Sequence, residues 1–176
     1  MKQIDYLTAN NNNDIVLEIA FQLLATNLLP VIICVGEKHS TDMFSKLVAE
    51  LLIKKYAIRA YVYGRSENPI THNNLDSAVS FISNKHKGSK VFVVFSKVDS
   101  MEKGSILYYG KGKVFINSSA FGDYSLMTFF NRTPLLIGWE KQKQFKLAGF
   151  IAHSLYLGIS YADAIKNHVT QKNTTA

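Results

Sequence analysis

Hydrophobic and polar positions follow one another along this chain in an order that predicts strands and helices in alternation. The apolar run "VIICVG" (Val31–Gly36) is rich in β-branched residues and ends at glycine, which is typical of a strand buried on both faces. In residues 43–52, by contrast, the apolar residues recur at helical spacing. A predicted strand (58–64), helix (73–87) and strand (90–98) follow. This alternation predicts βαβ units in a parallel sheet with helices on both faces.

The segments around these units extend the architecture. Asp14 precedes apolar residues at helical spacing and is predicted to cap a first helix. The runs "GSILYYG" and "KVFINS" predict short strands joined around residues 110–112, as a hairpin or as an antiparallel addition to the edge of the sheet. Two closing helices are predicted, one that ends at Gly158 and one that begins at Ser160. The predicted fold is a three-layer α/β/α sandwich with a mostly parallel sheet.

Length and composition indicate one domain. A chain of 176 residues with 47% hydrophobic content fits a single core. We expect a flexible N-terminal segment over 1–13, a single α/β domain over 14–170 and a frayed tail over 171–176. The apolar runs are shorter than a membrane span, and the N-terminus lacks the apolar region of a signal peptide. These features favour a cytoplasmic protein with no membrane partner.

Charge and cysteine content narrow the classes of partner and site. A net charge of +7 makes nucleic acid a candidate partner, because clustered Lys and Arg side chains attract phosphate backbones. The lysines are scattered over helix ends and loops, however, so we expect a solvated basic surface and no nucleic-acid partner. The single cysteine, Cys34, excludes a disulfide and a cysteine-based zinc cage within one chain. Cys34 lies in an apolar run and is expected to be a small buried residue.

Ligands of open α/β sheets bind at the carboxyl ends of the strands, which directs attention to the loops that follow them. The loop "GEKHSTD" enters a predicted helix with Ser40 or Thr41 as its cap, and its free N–H groups could hold an anion or a nucleotide. The loop lacks the glycine spacing of a P-loop or dinucleotide site. In the loop "GRSENPITHNN", His72 is a modest candidate for a ligand or base, and Asn73 or Asn74 is expected to cap the next helix.

Taken together, "CVGEKHST", "VYGRSENPITHNNL", "VFVVFSKVD", "KGSILYYGKGKV" and "GISYADAI" resemble the YyaC-type sporulation proteins of endospore-forming bacteria. That family is similar in fold to hydrogenase maturation peptidases and to the germination protease of spores, which are phosphorylase/hydrolase-like α/β sandwiches. The likeness covers residues 30–165.

The resemblance implies a site at the carboxyl edge of the sheet. Asp42 falls on the acid of the family's Gly-Asp pair, and His72 lies one place after the family's loop histidine. The family's third strand ends in an acid that corresponds to a metal ligand of the maturation peptidases, and Ser96 stands at that position. Asp42 is therefore the only candidate metal ligand. The candidate catalytic residues are Asp42, His39 and His72, and the candidate ligand-binding residues are Gly36, Ser40, Thr41, Gly64, Asn74 and Ser96.

Two functions follow from this resemblance. In the first, the chain is a catalytically degenerate member of the family that binds an unknown protein or peptide partner and needs no cofactor. In the second, it is an active peptidase or amidase in which Asp42, His39 and His72 surround a divalent metal or a water. A homodimer is a further expectation. Four aromatic residues could form its patch, although core packing is the commoner role for such residues: Tyr108, Tyr109, Phe121 and Tyr124.

Overall fold

The structure is a computed structural model that describes residues 2–5, 12–36, 44–98, 106–116, 119–130 and 137–174. The strands are β1 (Lys2–Asp5), β2 (Val31–Gly36), β3 (Tyr61–Tyr63), β4 (Ile70–Thr71), β5 (Val91–Val98), β6 (Ile106–Lys111), β7 (Val114–Ile116), β8 (Ser119–Phe121) and β9 (Tyr124–Phe130). The helices are α1 (Asn13–Leu24), α2 (Phe44–Glu50), α3 (Leu75–Lys85) and α4 (Ile137–Thr174), and a π-helical turn (Leu51–Lys55) continues α2.

Seven strands form one mixed sheet in the order β1-β6-β9-β5-β2-β3, with β4 also pairing with β2. The pairs β9-β5, β5-β2, β2-β3 and β2-β4 are parallel, whereas β6 and β1 are added antiparallel at one edge. Strands β7 and β8 form a separate antiparallel pair. The predicted α/β sandwich with a mostly parallel sheet is confirmed.

Two hydrophobic cores lie on opposite faces of this sheet. Along β5, Phe92 and Val94 belong to the core that α1, α2 and α4 cover, and Val93 and Phe95 belong to the core beneath α3 and the β7-β8 pair. This division follows from the strand geometry, because successive side chains point to opposite faces. We call the side covered by α1, α2 and α4 the three-helix face.

The antiparallel strands differ from the predicted hairpin. Strand β6 does not pair with β7 but lies between β1 and β9, while β7 pairs with β8. The alternative of an antiparallel addition to the sheet edge is therefore the arrangement that forms. The predicted flexible N-terminal segment also differs from the structure over Lys2–Asp5, which form the outermost strand.

The two predicted closing helices are one continuous helix, α4, which extends to Thr174 and so includes part of the predicted frayed tail. Gly158 does not end a helix. A Cβ atom at Gly158 would lie 2.6 Å from Cγ2 of Ile19, so the glycine allows α1 and α4 to pack closely. The contacts Asn12–Ser154 and Thr26–Lys166 show that α1 and α4 run in the same direction.

No helix in the described part of the chain combines the length and apolar character that a membrane crossing requires.

Candidate functional site

Neighbouring strands end together at the carboxyl edge of the parallel part of the sheet. Gly36 and Thr71 are register partners across β2 and β4, and Ser96 and Thr128 are partners across β5 and β9. The residues just before Gly36 and Ser96 also pair with each other. These four residues therefore form one row across four strands, which we call the hydroxyl edge.

The side chains of the hydroxyl edge lie on the three-helix face of the sheet. Side-chain alternation places Ser96 on the same face as Val94, and Thr128 on the same face as Leu126. Both hydroxyl residues are buried. A third buried hydroxyl lies at the start of α2, where Ser45 Oγ donates a hydrogen bond to the Val35 carbonyl oxygen at 2.7 Å. The described part of this edge is thus polar and uncharged, and it is buried except at Thr71, which is partly exposed.

These groups do not form a typical divalent-metal site. Such metals are held in proteins by carboxylate oxygens, imidazole nitrogens or thiolates, and a neutral hydroxyl is a weak substitute. Ser96 stands where the family resemblance places an acid. Within the residues that the structure describes, His, Cys, Asp and Glu nowhere form a group of three that could hold a metal ion.

Gly64 has a steric role. The chain leaves the sheet at Gly64, after β3, and returns to it in β4. Gly64 has φ +89°, and a Cβ atom there would lie 1.9 Å from the carbonyl oxygen of Cys34. Only glycine fits both the left-handed backbone and the contact with β2. Gly36 differs, since among the described residues a Cβ atom there would meet only the Ile70 carbonyl oxygen, at an ordinary 3.8 Å.

Asn74 fixes the turn between β4 and α3. Its Oδ1 accepts a hydrogen bond from the Thr71 N–H at 2.8 Å, and its Nδ2 donates to the Pro69 carbonyl oxygen at 3.0 Å. Asn74 occupies the N-cap position of α3, as expected, and its backbone carbonyl accepts from the Ala78 N–H. Its side chain, however, holds the turn and makes no capping bond. His72 lies in this turn and is partly exposed.

The structure brings together some of the predicted site residues. Gly36 and Ser96 share the hydroxyl edge, and His72 directly follows its outermost member, Thr71. Gly64 and Asn74 shape the second loop through the contacts given above. The remaining predicted residues lie outside the described part of the chain: His39, Ser40, Thr41 and Asp42.

Cys34 takes no part in a reactive site. It is fully buried in β2, as expected, and burial raises the pKa of its thiol far above the ordinary value. Because the thiolate is the nucleophilic form of cysteine, a thiol in this environment is unreactive.

The predicted aromatic dimer patch is largely core. Tyr109, Phe121 and Tyr124 are buried, which is the core packing that the sequence also allowed. The Tyr124 hydroxyl donates a hydrogen bond to Glu18 Oε2 at 2.9 Å. Burial and this bond raise the pKa of Tyr124. The same carboxyl group forms an ion pair with Lys2, and these contacts join β1 and β9 to α1.

Sequence reasoning missed Ser45 and Thr128. The run "YSLMTFF" of β9 is rich in the aromatic and apolar residues that strands favour and could have been recognised locally. Its place between β5 and β6 depends on pairing with strands distant in sequence, and this pairing sets Thr128 beside Ser96.

Fold and edge together define an α/β protein with a parallel central sheet and a carboxyl edge that carries buried hydroxyl groups in its described part. The chain belongs to the family described as protein of unknown function (DUF1256), whose model matches residues 3–132. The match includes every strand from β2 to β9 and the helices α1 to α3, and it ends before α4. No curated protein and no solved structure matches the chain.

Proposed function

We propose that this chain is a YyaC-like sporulation-family protein without hydrolytic activity, which binds a protein or peptide partner at the carboxyl edge of its sheet. The observation that supports the proposal is the chemistry of the hydroxyl edge. Ser96, at the position of the family's acid, is buried beside the equally neutral Thr128. A hydroxyl group cannot supply the negative charge with which a peptidase of this type holds its metal.

An uncharged, hydroxyl-bearing edge suits a peptide better than an ionic ligand. The Thr71 hydroxyl is the partly exposed one of this row, and a hydroxyl both donates and accepts hydrogen bonds, so it matches the N–H and C=O groups of a peptide main chain. Thr71 is accessible at the outer end of the row, on the two-residue strand β4. A partner that approaches the hydroxyl edge from the β4 side would therefore meet Thr71 first.

Metal uptake tests the absence of the peptidase site. Purified protein is dialysed against micromolar zinc, nickel or manganese, and bound metal is measured per chain. We expect no stoichiometric uptake by the wild type or by the Asp42→Ala variant. Asp76→Ala, which removes an exposed acid on α3, is the control. Uptake of one metal ion per chain that is lost in Asp42→Ala and kept in Asp76→Ala would refute the proposal.

Peptide selection tests the binding role. A displayed random-peptide library is selected against the wild-type protein, and retained peptides are re-tested against Thr71→Arg, which places a long charged side chain at the outer end of the hydroxyl edge. Ser66→Arg adds the same side chain to the exposed loop between β3 and β4 and is the control. We expect peptides that bind wild type and Ser66→Arg but not Thr71→Arg. Selected peptides that bind all three proteins equally would exclude this edge as the binding site.

The alternative is an active peptidase or amidase that uses Asp42, His39 and His72. One observation favours it, since His72 directly follows Thr71 at the carboxyl edge. Asp42 is the only residue we assign to a divalent metal in this reading, and the metal would polarise the scissile carbonyl. Cleavage of a peptide library that Asp42→Asn abolishes would establish this alternative. A negative result across metals and pH would remove it.

A further inference from the structure

Helix α1 has apolar side chains on two opposite faces. One face enters the core through Ile15, Ile19 and Leu23. The other face points to solvent, where Leu17 is 53% exposed and Phe21 is 71% exposed. Leu24 continues this face one turn further along. We call Leu17, Phe21 and Leu24 the α1 stripe. An exposed row of large apolar residues on a helix marks an interaction surface more often than chance.

A groove runs along the α1 stripe, between α1 and the later part of α4. It has a volume of about 340 Å³, and besides the stripe it is lined by Ala20, Tyr161 and Ile165 and by two polar residues, Glu18 and Gln22. Tyr161 is itself half exposed. The surface therefore offers both a projecting ring, at Phe21, and an apolar recess beside it.

The spacing of the α1 stripe suits a second copy of the same helix. Leu17 lies about 6 Å before Phe21 along the helix axis and Leu24 lies about 4.5 Å after it, at ~1.5 Å per residue. The stripe is thus nearly symmetric about Phe21. A two-fold interface requires this property, because the same surface must match itself in the reverse direction. Two antiparallel α1 helices would pair Leu17 of each copy with Leu24 of the other, and Phe21 of each would reach the groove of the other.

Charge along this surface is complementary in the same arrangement. Asp14 is exposed at the start of α1, beside the helix N-terminus. Beyond the other end of α1 lie Lys166, which donates a hydrogen bond to the Thr26 carbonyl oxygen, and the exposed His168. Lys2 is also exposed near Asp14, but it is paired with Glu18, so these three side chains together carry a net negative charge. Antiparallel pairing sets this end of one copy against the Lys166 end of the other. The helix dipoles of the two α1 helices then also oppose each other favourably.

We propose that the chain forms a two-fold homodimer through the α1 stripe. This interface differs from the predicted aromatic patch, and it shares no residue with the hydroxyl edge at which the partner is proposed to bind. The dimer therefore presents two separate copies of that edge.

Sedimentation equilibrium of the full chain, from low micromolar to several hundred micromolar concentration, tests the dimer. We expect a reversible monomer–dimer equilibrium in the wild type. Phe21→Glu should raise the dissociation constant of the dimer by a factor of about 100 or more, because each dimer loses both Phe21 side chains from the centre of its interface. Phe81→Glu is the matched control, since Phe81 is 57% exposed on α3, on the opposite face of the sheet. Circular dichroism melting establishes that each variant is folded.

A charge reversal tests the orientation of the two copies. Asp14→Lys and His168→Glu should each weaken the dimer, and the double variant should recover much of the wild-type affinity. A wild-type chain that is monomeric at every concentration would overturn the proposal, as would Phe21→Glu protein that dimerises like the wild type. If the protein stayed monomeric and bound phosphatidylcholine–phosphatidylglycerol vesicles through Phe21, the α1 stripe would be a lipid-binding surface. That result would also overturn the dimer proposal.

Discussion

The contact between Gly64 and β2 makes a sharp prediction about stability. Gly64→Ala adds a single methyl group, but its carbon would lie 1.9 Å from the Cys34 carbonyl oxygen. The obstacle is backbone of a central strand, which cannot rotate away as a flexible side chain would. To reach an ordinary contact, the chain at residue 64 must move by about 1.5 Å, and this movement disturbs the pairing of β3 with β2.

Two costs combine in this variant. Alanine in the left-handed conformation that Gly64 adopts, φ +89°, costs about 1–2 kcal/mol. Forcing extra volume into a packed interior adds about 1–3 kcal/mol. We therefore expect Gly64→Ala to lower the free energy of unfolding by about 2–5 kcal/mol, which is a large part of the ~5–15 kcal/mol typical of a domain.

Denaturant unfolding, followed by far-ultraviolet circular dichroism, measures this loss. Gly36→Ala is the matched control, because the contact its Cβ atom would make with the described part of the chain is a single carbonyl oxygen at 3.8 Å. We expect the control to unfold within about 1 kcal/mol of the wild type. If Gly64→Ala were as stable as Gly36→Ala, the close contact between residue 64 and β2 would be refuted.

Three further predictions concern other contacts. Gly158→Ala should destabilise by about 1–3 kcal/mol because its Cβ atom would meet α1. Gly149→Ala, whose Cβ atom would have no described atom within 4 Å, should be neutral or stabilising, and thermal melts compare the two variants. Asn74→Ala should cost about 1–2 kcal/mol and speed proteolysis of the β4–α3 turn, and Asn73→Ala should do neither. Burial lowers the pKa of His86, whose ring nitrogen Nε2 shares a hydrogen bond with the Tyr63 hydroxyl. Neutral His86 therefore adds to the free energy of unfolding above about pH 6.5, and this contribution is lost as the pH falls below that value. The free energy of unfolding, measured at several pH values, should not show this decrease at low pH in the His86→Gln variant.

The proposed dimer and the proposed peptide edge are independent in structure. The hydroxyl edge is built on β2, β4, β5 and β9, whereas the α1 stripe lies on the outer surface of α1. Phe21→Glu should therefore leave peptide selection at the carboxyl edge unchanged, and Thr71→Arg should leave the monomer–dimer equilibrium unchanged.

The sequence alone determined the parallel centre of the fold. Strands β2 and β5 are nearly continuous apolar runs, and the helices between them show helical spacing, so local pattern was sufficient to predict them. The burial of Cys34 followed from the same pattern. The family resemblance also directed attention to Ser96, which lies at the carboxyl edge as expected.

Only the tertiary structure decided which distant segments meet. The insertion of β9 between β5 and β6, which sets Thr128 beside Ser96, depends on strand pairing across the chain rather than on local propensity. The continuity of α4 through Gly158 depends on α1 packing against that glycine, although a glycine near the end of a helical pattern indicates a helix end. Which apolar face of α1 is buried was likewise set by α4 and the sheet, because two faces of that helix are apolar and the core covers only one.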